Sequence, residues 1–159
     1  MNASPDSKMA LRKANGADFE FAYELRKNVM KDYVAQTWGK WDEQFQRDHF
    51  KEHFSPGRTD IIVCRGRDIG WMDVDRGAER IYLSKIYLQP QFQRQGIGSQ
   101  LINRLFEEAD GKGLPVGLRV LKINPARRLY ERLGFSLSGA TETHYEMVRS
   151  PDSRKTRHG

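Results

Sequence analysis

The chain has 159 residues, 38% hydrophobic and 30% charged, a length that suits one domain able to bury its own core without metal or disulfide staples. Cys64 is its single cysteine, which excludes an internal disulfide framework and suits a reducing compartment, and no apolar run approaches the roughly 20 residues of a membrane span, so a soluble cytoplasmic protein with no membrane partner is expected. The formal charge of +6 hints at nucleic acid until it is located: Arg149, Arg154, Lys155 and Arg157 against Asp152 place +3 in the last eleven residues, and the remaining +3 is spread over many charges of both signs.

Residues 1–8 are polar and expected to be disordered, and Met9 to Ala14 begins ordered structure as a short strand that Asn15-Gly16 ends. Asp18 is a candidate helix cap, and Ala22, Leu25, Val29 and Tyr33 follow at helical spacing, which predicts a helix over about 18–36. Trp38-Gly39-Lys40 breaks it, and Trp41, Phe45 and His49 in register predict a second helix over 41–54 before the turn at Ser55-Pro56-Gly57. Two β-rich runs, 59–65 and 69–75, are parted by Gly66-Arg67-Asp68 and read as a hairpin; Arg76-Gly77-Ala78 then turns into a strand over 80–88.

A short glycine loop leads from that strand directly into an amphipathic helix with Leu101, Ile102, Leu105, Phe106 and Ala109 on one side. Gly111, Gly113 and Pro115 stop the helix, and the strand over 116–121 should run parallel to the one before the loop, because a crossover helix joins them. Asn124-Pro125 is a capping side chain followed by proline in the first helical position, and Gly134 is a natural left-handed end for the helix over 125–133. Phe135 opens a final pair of strands, the last over 143–149, and the basic tail 150–159 is expected to be disordered. The order βααβββαβαββ, with no repeat and no second domain, predicts a mixed, mostly antiparallel sheet of about seven strands with helices on both faces.

A strand, a glycine turn and a helix start in succession make an anion site. The first helical turn has backbone N–H groups without intrahelical partners and carries partial positive charge, and glycine lets an oxygen-rich group approach without meeting a Cβ. Two glycines ahead of a helix equally serve as a tight connection. The triphosphate-binding loop is excluded, since no Gly-x-x-x-x-Gly-Lys-Ser/Thr occurs, and the dinucleotide signature fails for want of its first and last glycines. What remains, Gln93-x-x-Gly96-x-Gly98, resembles the acyl-coenzyme A loop of the GNAT-type N-acetyltransferases. The segment from Asn124 through Leu129-Tyr130-Glu131 to Leu133-Gly134-Phe135 resembles a second GNAT motif, and the two, in the right order, extend the resemblance over about 9–149.

The resemblance implies an acyl-CoA N-acyltransferase fold, splayed between the strand before the loop and the strand after the main helix, with the pantetheine arm of acetyl-CoA in the gap. It places that arm against the main chain of Ile86, Tyr87 and Leu88 and the pyrophosphate on Arg94, Gln95, Gly96, Ile97, Gly98 and Ser99. Asn124 would meet the pantetheine, although it sits one residue closer to the tyrosine than the family spacing and serves equally as a helix cap. Tyr130 would protonate the departing thiolate. The implied activity is acetyl transfer from acetyl-CoA to a primary amine of a small molecule, peptide or protein by direct attack in a ternary complex. Family members draw a base from the strands flanking the gap, where this chain offers Tyr82, Ser84, Leu118 and Arg119; Glu79, Glu142 and His144 lie nearby, and the base stays unassigned.

The acceptor is expected where the first two helices meet: Tyr33, Trp38 and Trp41 could form an aromatic wall, with Glu24, Asp32 or Asp42 attracting a cationic amine. The same tryptophans could equally anchor the helix corner. Cys64, inside an apolar strand, reads as a small buried residue, and His49 and His53 share a helix face without a metal motif around them, so no metal is expected. Two other classes stand beside the enzyme: a noncatalytic acyl-CoA-binding regulator, against which Tyr130 argues, and a nucleic-acid module suggested by the tail alone. A homodimer is left open.

Overall fold

The fold is that of a computed structural model describing residues 9–152, so the expectations for 1–8 and for 153–159 lie outside the described residues. The elements are β1 (Met9–Lys13), α1 (Phe19–Trp38), α2 (Glu43–His53), β2 (Thr59–Cys64), β3 (Arg67–Arg76), β4 (Ile81–Leu88), α3 (Ile97–Lys112), β5 (Val116–Leu121), α4 (Ala126–Leu133), β6 (Ser136–Ala140) and β7 (His144–Arg149). This is the expected order. The seven strands form one sheet in the order β1-β2-β3-β4-β5-β7-β6. The β1–β2, β2–β3, β5–β7 and β6–β7 ladders are antiparallel, and β4 meets β5 in parallel, as its crossover through α3 requires.

By compactness the chain divides into Met1–Asp73 with Lys85–Ile97 and Val74–Ser84 with Gly98–Gly159. The first unit is built around Trp71 of β3, which is wholly buried. Its Nε1–H donates to the carbonyl of Ala22 on α1 at 3.0 Å, and its ring meets Phe50 of α2 at 5.7 Å and Tyr87 of β4 at 5.0 Å. Because side chains alternate along a strand, Trp71, Asp73 and Ile69 share a face of β3, and α1 and α2 cover it. Ala22, Tyr23, Leu25 and Ile61 complete that core.

Helix boundaries differ from expectation for identifiable reasons. Asp18 does not cap α1 with its side chain. Its carboxylate instead accepts from the Arg12 guanidinium at 2.8 Å and from the Asn15 N–H at 2.9 Å, and Asn15 caps a 3-10 turn ahead of the helix. A charge-assisted bond to a guanidinium outcompetes a bond to one more backbone N–H. α1 runs to Trp38 and stops at Gly39, whose φ of 94° places it in the left-handed region. α2 starts after Trp41, because Asp42 accepts from the Phe45 N–H and fixes the first turn there. The β2–β3 hairpin turns on Arg65 and Gly66, at φ 53° and 79°, one residue earlier than expected; two positive φ values are what a type I′ turn needs.

The second unit buries Leu101, Ile102, Leu105, Phe106 and Ala109 of α3, with the Phe106 and Phe135 rings 5.4 Å apart. Asp110, at the end of α3, is fully buried and accepts from both Nη groups of Arg149 and from the backbone N–H of Asp152. α4 begins one residue later than expected, at Ala126, with Pro125 in the N-cap position and Asn124 Oδ1 accepting from the Ala126 N–H at 2.9 Å, and it ends as expected at Gly134, at φ 116°. Among the described residues no helix is long and apolar enough to cross a membrane.

Candidate active site

The loop between β4 and α3 is held by its own glutamines. Gln93 Nε2 donates to the Leu88 carbonyl at 2.9 Å and Gln95 Nε2 to the Gln91 carbonyl at 2.8 Å. Arg94 and Gly96 take left-handed φ values of 63° and 82°, a backbone pattern that brings neighbouring N–H groups together into a concave donor array. Among the described residues the backbone bonds of this loop end with Gln93 N–H to the Pro90 carbonyl, and no N–H from Arg94 to Ser99 meets a carbonyl outside its own helix. A Cβ built on Gly96 would meet nothing within 4 Å, so the loop has room beside that residue. Ile97, 1% exposed, pins the loop to the core by its side chain while its amide stays at the helix start. Donor array, helix dipole and room together suit a diphosphate.

The ladder between β4 and β5 holds two pairs, Ile81 with Val116 and Tyr82 with Gly117, whereas β5 pairs β7 over all six of its residues. Among the described residues, β4 beyond Tyr82 pairs with no residue of β5. On the other side of β4, the Gln89 N–H donates to the Ile69 carbonyl at 2.8 Å. Tyr87 sets its ring against Trp71 of β3, and burial pushes its phenol above the ordinary tyrosine range.

Tyr130, on α4 in the second unit, is half-buried with its ring edge against Phe135 at 5.9 Å. Asn124 Oδ1 accepts from the Ala126 N–H at the start of that helix. Of the residues standing where family members place a base, Arg119 pairs with Glu146 on β7 at 3.0 Å, and burial raises the phenol of Tyr82.

On the acceptor side the acids are mostly engaged. Arg47 holds Glu20 at 2.7 Å and lies 3.6 Å from Glu24, and Asp42 caps α2. Glu43, which the sequence reading passed over, accepts from Lys27 at 2.6 Å, Tyr23 at 2.7 Å and Trp41 Nε1 at 3.1 Å. Lys27 first, then Tyr23, pull its carboxyl down to about 2, while burial and the Glu43 bond push the Tyr23 phenol up to about 12. Trp41 is thus an anchor of the helix corner, with the Arg26 guanidinium 5.5 Å from its ring centre; Trp38 is 55% exposed. A cavity of about 400 Å³ in the first unit is walled by α1 through Glu20, Glu24 and Asn28 and by Gln89, Pro90 and Gln91.

A buried carboxylate also stands on β3, beside β4 in the sheet. Asp73 of β3 is 8% exposed and accepts from Thr59 Oγ1 at 2.5 Å. Its signal in the sequence was an acid at an inward position of an alternating strand, on the same face as Trp71. Cys64 is buried as expected. His49 and His53 stack at 4.2 Å, and among the described residues no group of three or more His, Cys, Asp or Glu could hold a metal ion.

A sequence model of the family described as Acetyltransferase (GNAT) domain matches residues 57–137, just over half of the chain. An uncharacterized N-acetyltransferase of Mycobacterium tuberculosis is 32% identical over a stretch covering 68% of this chain and 78% of the relative, and a counterpart in Mycobacterium bovis matches equally. Among solved structures, the PaiA N-acetyltransferase of Thermoplasma acidophilum in complex with coenzyme A superposes with a TM-score of 0.69 at 18% identity, over 89% of this chain and 98% of that one. The ribosomal-protein-S18-alanine N-acetyltransferase of Escherichia coli gives 0.62 at 20% identity, over 89% and 93%. Naa50 of Arabidopsis thaliana, in complex with the bisubstrate analogue CoA-Ac-MVNAL, gives 0.62 at 14%, over 90% and 99%. These likenesses carry the fold, and the family match runs from the turn before β2 through the glycine loop to α4: the chain belongs to the GNAT family of N-acetyltransferases.

Proposed function

We infer that this protein transfers the acetyl group of acetyl-CoA to a primary amine, on a small molecule, a peptide or a protein, by direct attack in a ternary complex. The observation that carries the reading is the row of N–H donors from Arg94 to Ser99 that meet no backbone carbonyl outside their own helix, with room for a ligand at Gly96. These donors would take the pyrophosphate, and the main chain of Ile86 and Leu88 would pair with the pantetheine arm as a further strand does. Relatives of this fold solved with coenzyme A and with a coenzyme A–peptide conjugate support the same donor and an amine acceptor. Tyr130 would return a proton to the departing thiolate, so that the C–S bond breaks as the C–N bond forms. The buried free thiol of Cys64 suits a reducing, cytoplasmic setting.

Thermal unfolding tests the donor directly. At about a hundredfold its Kd, acetyl-CoA should raise Tm by roughly 5–10 °C, while ATP and NAD at equal concentration leave it within about 1 °C. No shift with acetyl-CoA removes the reading. Coenzyme A release with a panel of amines then ranks acceptors.

A further inference from the structure

The sequence search for a base ended on β4 and β5, and the structure offers a carboxylate one strand further along. Asp73 stands opposite Thr59 in the β2–β3 ladder, 8% exposed, its carboxylate accepting from the Thr59 hydroxyl. Strand alternation puts it on the face that Trp71 shares with α1 and α2. The Trp71–Tyr87 ring contact shows that β4 presents Tyr87, and with it Lys85, on that same face. Asp73 lies within electrostatic reach of both.

Direction along β4 matters here. With the pyrophosphate on residues 94–99, the pantetheine arm runs back past Leu88 and Ile86, so its thioester end arrives beside Lys85, the part of β4 that Asp73 neighbours. We propose that Asp73 is the general base of the reaction, taking a proton from the acceptor ammonium directly or through one water. This rests on the acetyltransferase reading above. The R–NH3+ group loses its proton to the Asp73 carboxylate, and the freed nitrogen lone pair forms the C–N bond at the thioester carbonyl. The C–S bond breaks, the thiolate takes a proton from Tyr130, and the second proton that the acylated nitrogen must lose passes to solvent, which in turn restores the Tyr130 proton.

The surroundings suit this task. Burial is the largest influence on Asp73 and raises its carboxyl above the ordinary aspartate range, toward the working range of a base, while the Thr59 hydrogen bond pulls it down. The charged and titratable groups around it are Arg58 and Asp60 beside β2 and Lys85 and Tyr87 of β4; Arg58 and Lys85 favour the carboxylate, and Asp60 opposes it.

The test uses the full chain with acetyl-CoA and spermidine, benzylamine, L-lysine, glycinamide and an alanine-initiated pentapeptide as probes, following kcat against pH with the probe turned over fastest. Asp73→Asn should keep the acetyl-CoA rise in Tm and lower kcat at neutral pH about a hundredfold or more. Thr59→Val removes the bond that stabilises the carboxylate, so the acid limb of kcat should move to higher pH with the plateau nearly kept. An Asp73→Asn enzyme within threefold of the parent overturns the assignment, as does a Thr59→Val limb that stays put, and the second variant decides the matter if the first does not fold. Absence of acetyl-CoA binding, or of turnover with every probe in the parent, fells the transferase reading and this inference with it; loss of the Asp73 effect in an active enzyme fells this inference alone.

Discussion

At the scale of single residues, Tyr130 carries the sharpest consequence. Its ring packs edge-on against Phe135, and Phe135 in turn packs on Phe106 of α3, so the aromatic body is placed by the core. Tyr130→Phe keeps the ring and removes the hydroxyl. The variant should show the parent's acetyl-CoA shift in Tm and a kcat lowered about a hundredfold; parent-like turnover would take Tyr130 out of the reaction. Upstream on the same segment, Asn124 accepts from the Ala126 N–H at the start of α4. Asp73 is an acid with no motif around it whose surroundings make it reactive.

Among elements, the α1–α2 corner is organised by one carboxylate. Glu43 gathers Lys27, Tyr23 and Trp41, tying both helices to the short segment between them. Its carboxyl, drawn down to about 2 in the folded chain from an ordinary 4.5, favours the folded state fully above pH 4.5 and loses that contribution as pH falls toward 2. Glu43→Gln should therefore lower Tm at pH 7, and the difference from the parent should shrink steadily between pH 4.5 and 2. A difference constant across that window would show that the charge of Glu43 does not stabilise the corner. The loop between β4 and α3 is an element of another kind, since its left-handed residues and its glutamine props all fall within Leu88 to Ser99.

Across the molecule, long-range polar pairs decide how the ends of the chain are placed. Asp110 at the end of α3 is fully buried and meets Arg149 at the end of β7, whose guanidinium also lies 4.3 Å from the Phe106 ring centre. Arg149→Ala leaves that carboxylate without its guanidinium and should cost about 3–5 kcal/mol in urea unfolding. Asp110→Asn should cost less, because it leaves no buried anion. Equal losses would show that packing of the Arg149 stem, and not charge, holds the pair. The Asp152 N–H uses the same carboxylate, so both variants should also loosen the segment just after β7.

Element order, the parallel β4–β5 pair and the stop of α4 at Gly134 were readable from the chain itself, because each depends on residues within a few positions of one another or on a short crossover: apolar spacing, a linking helix, a glycine at positive φ. The commitment of Asp18 to Arg12, the groups gathered on Glu43 and the company of Asp73 were decided by the tertiary structure. Asp73 is 14 residues from Thr59, Glu43 is 20 from Tyr23, and Asp110 is 39 from Arg149. Which groups meet over such separations depends on strand register and on the face each helix covers, and a one-residue slip in either would send the same side chains to different partners.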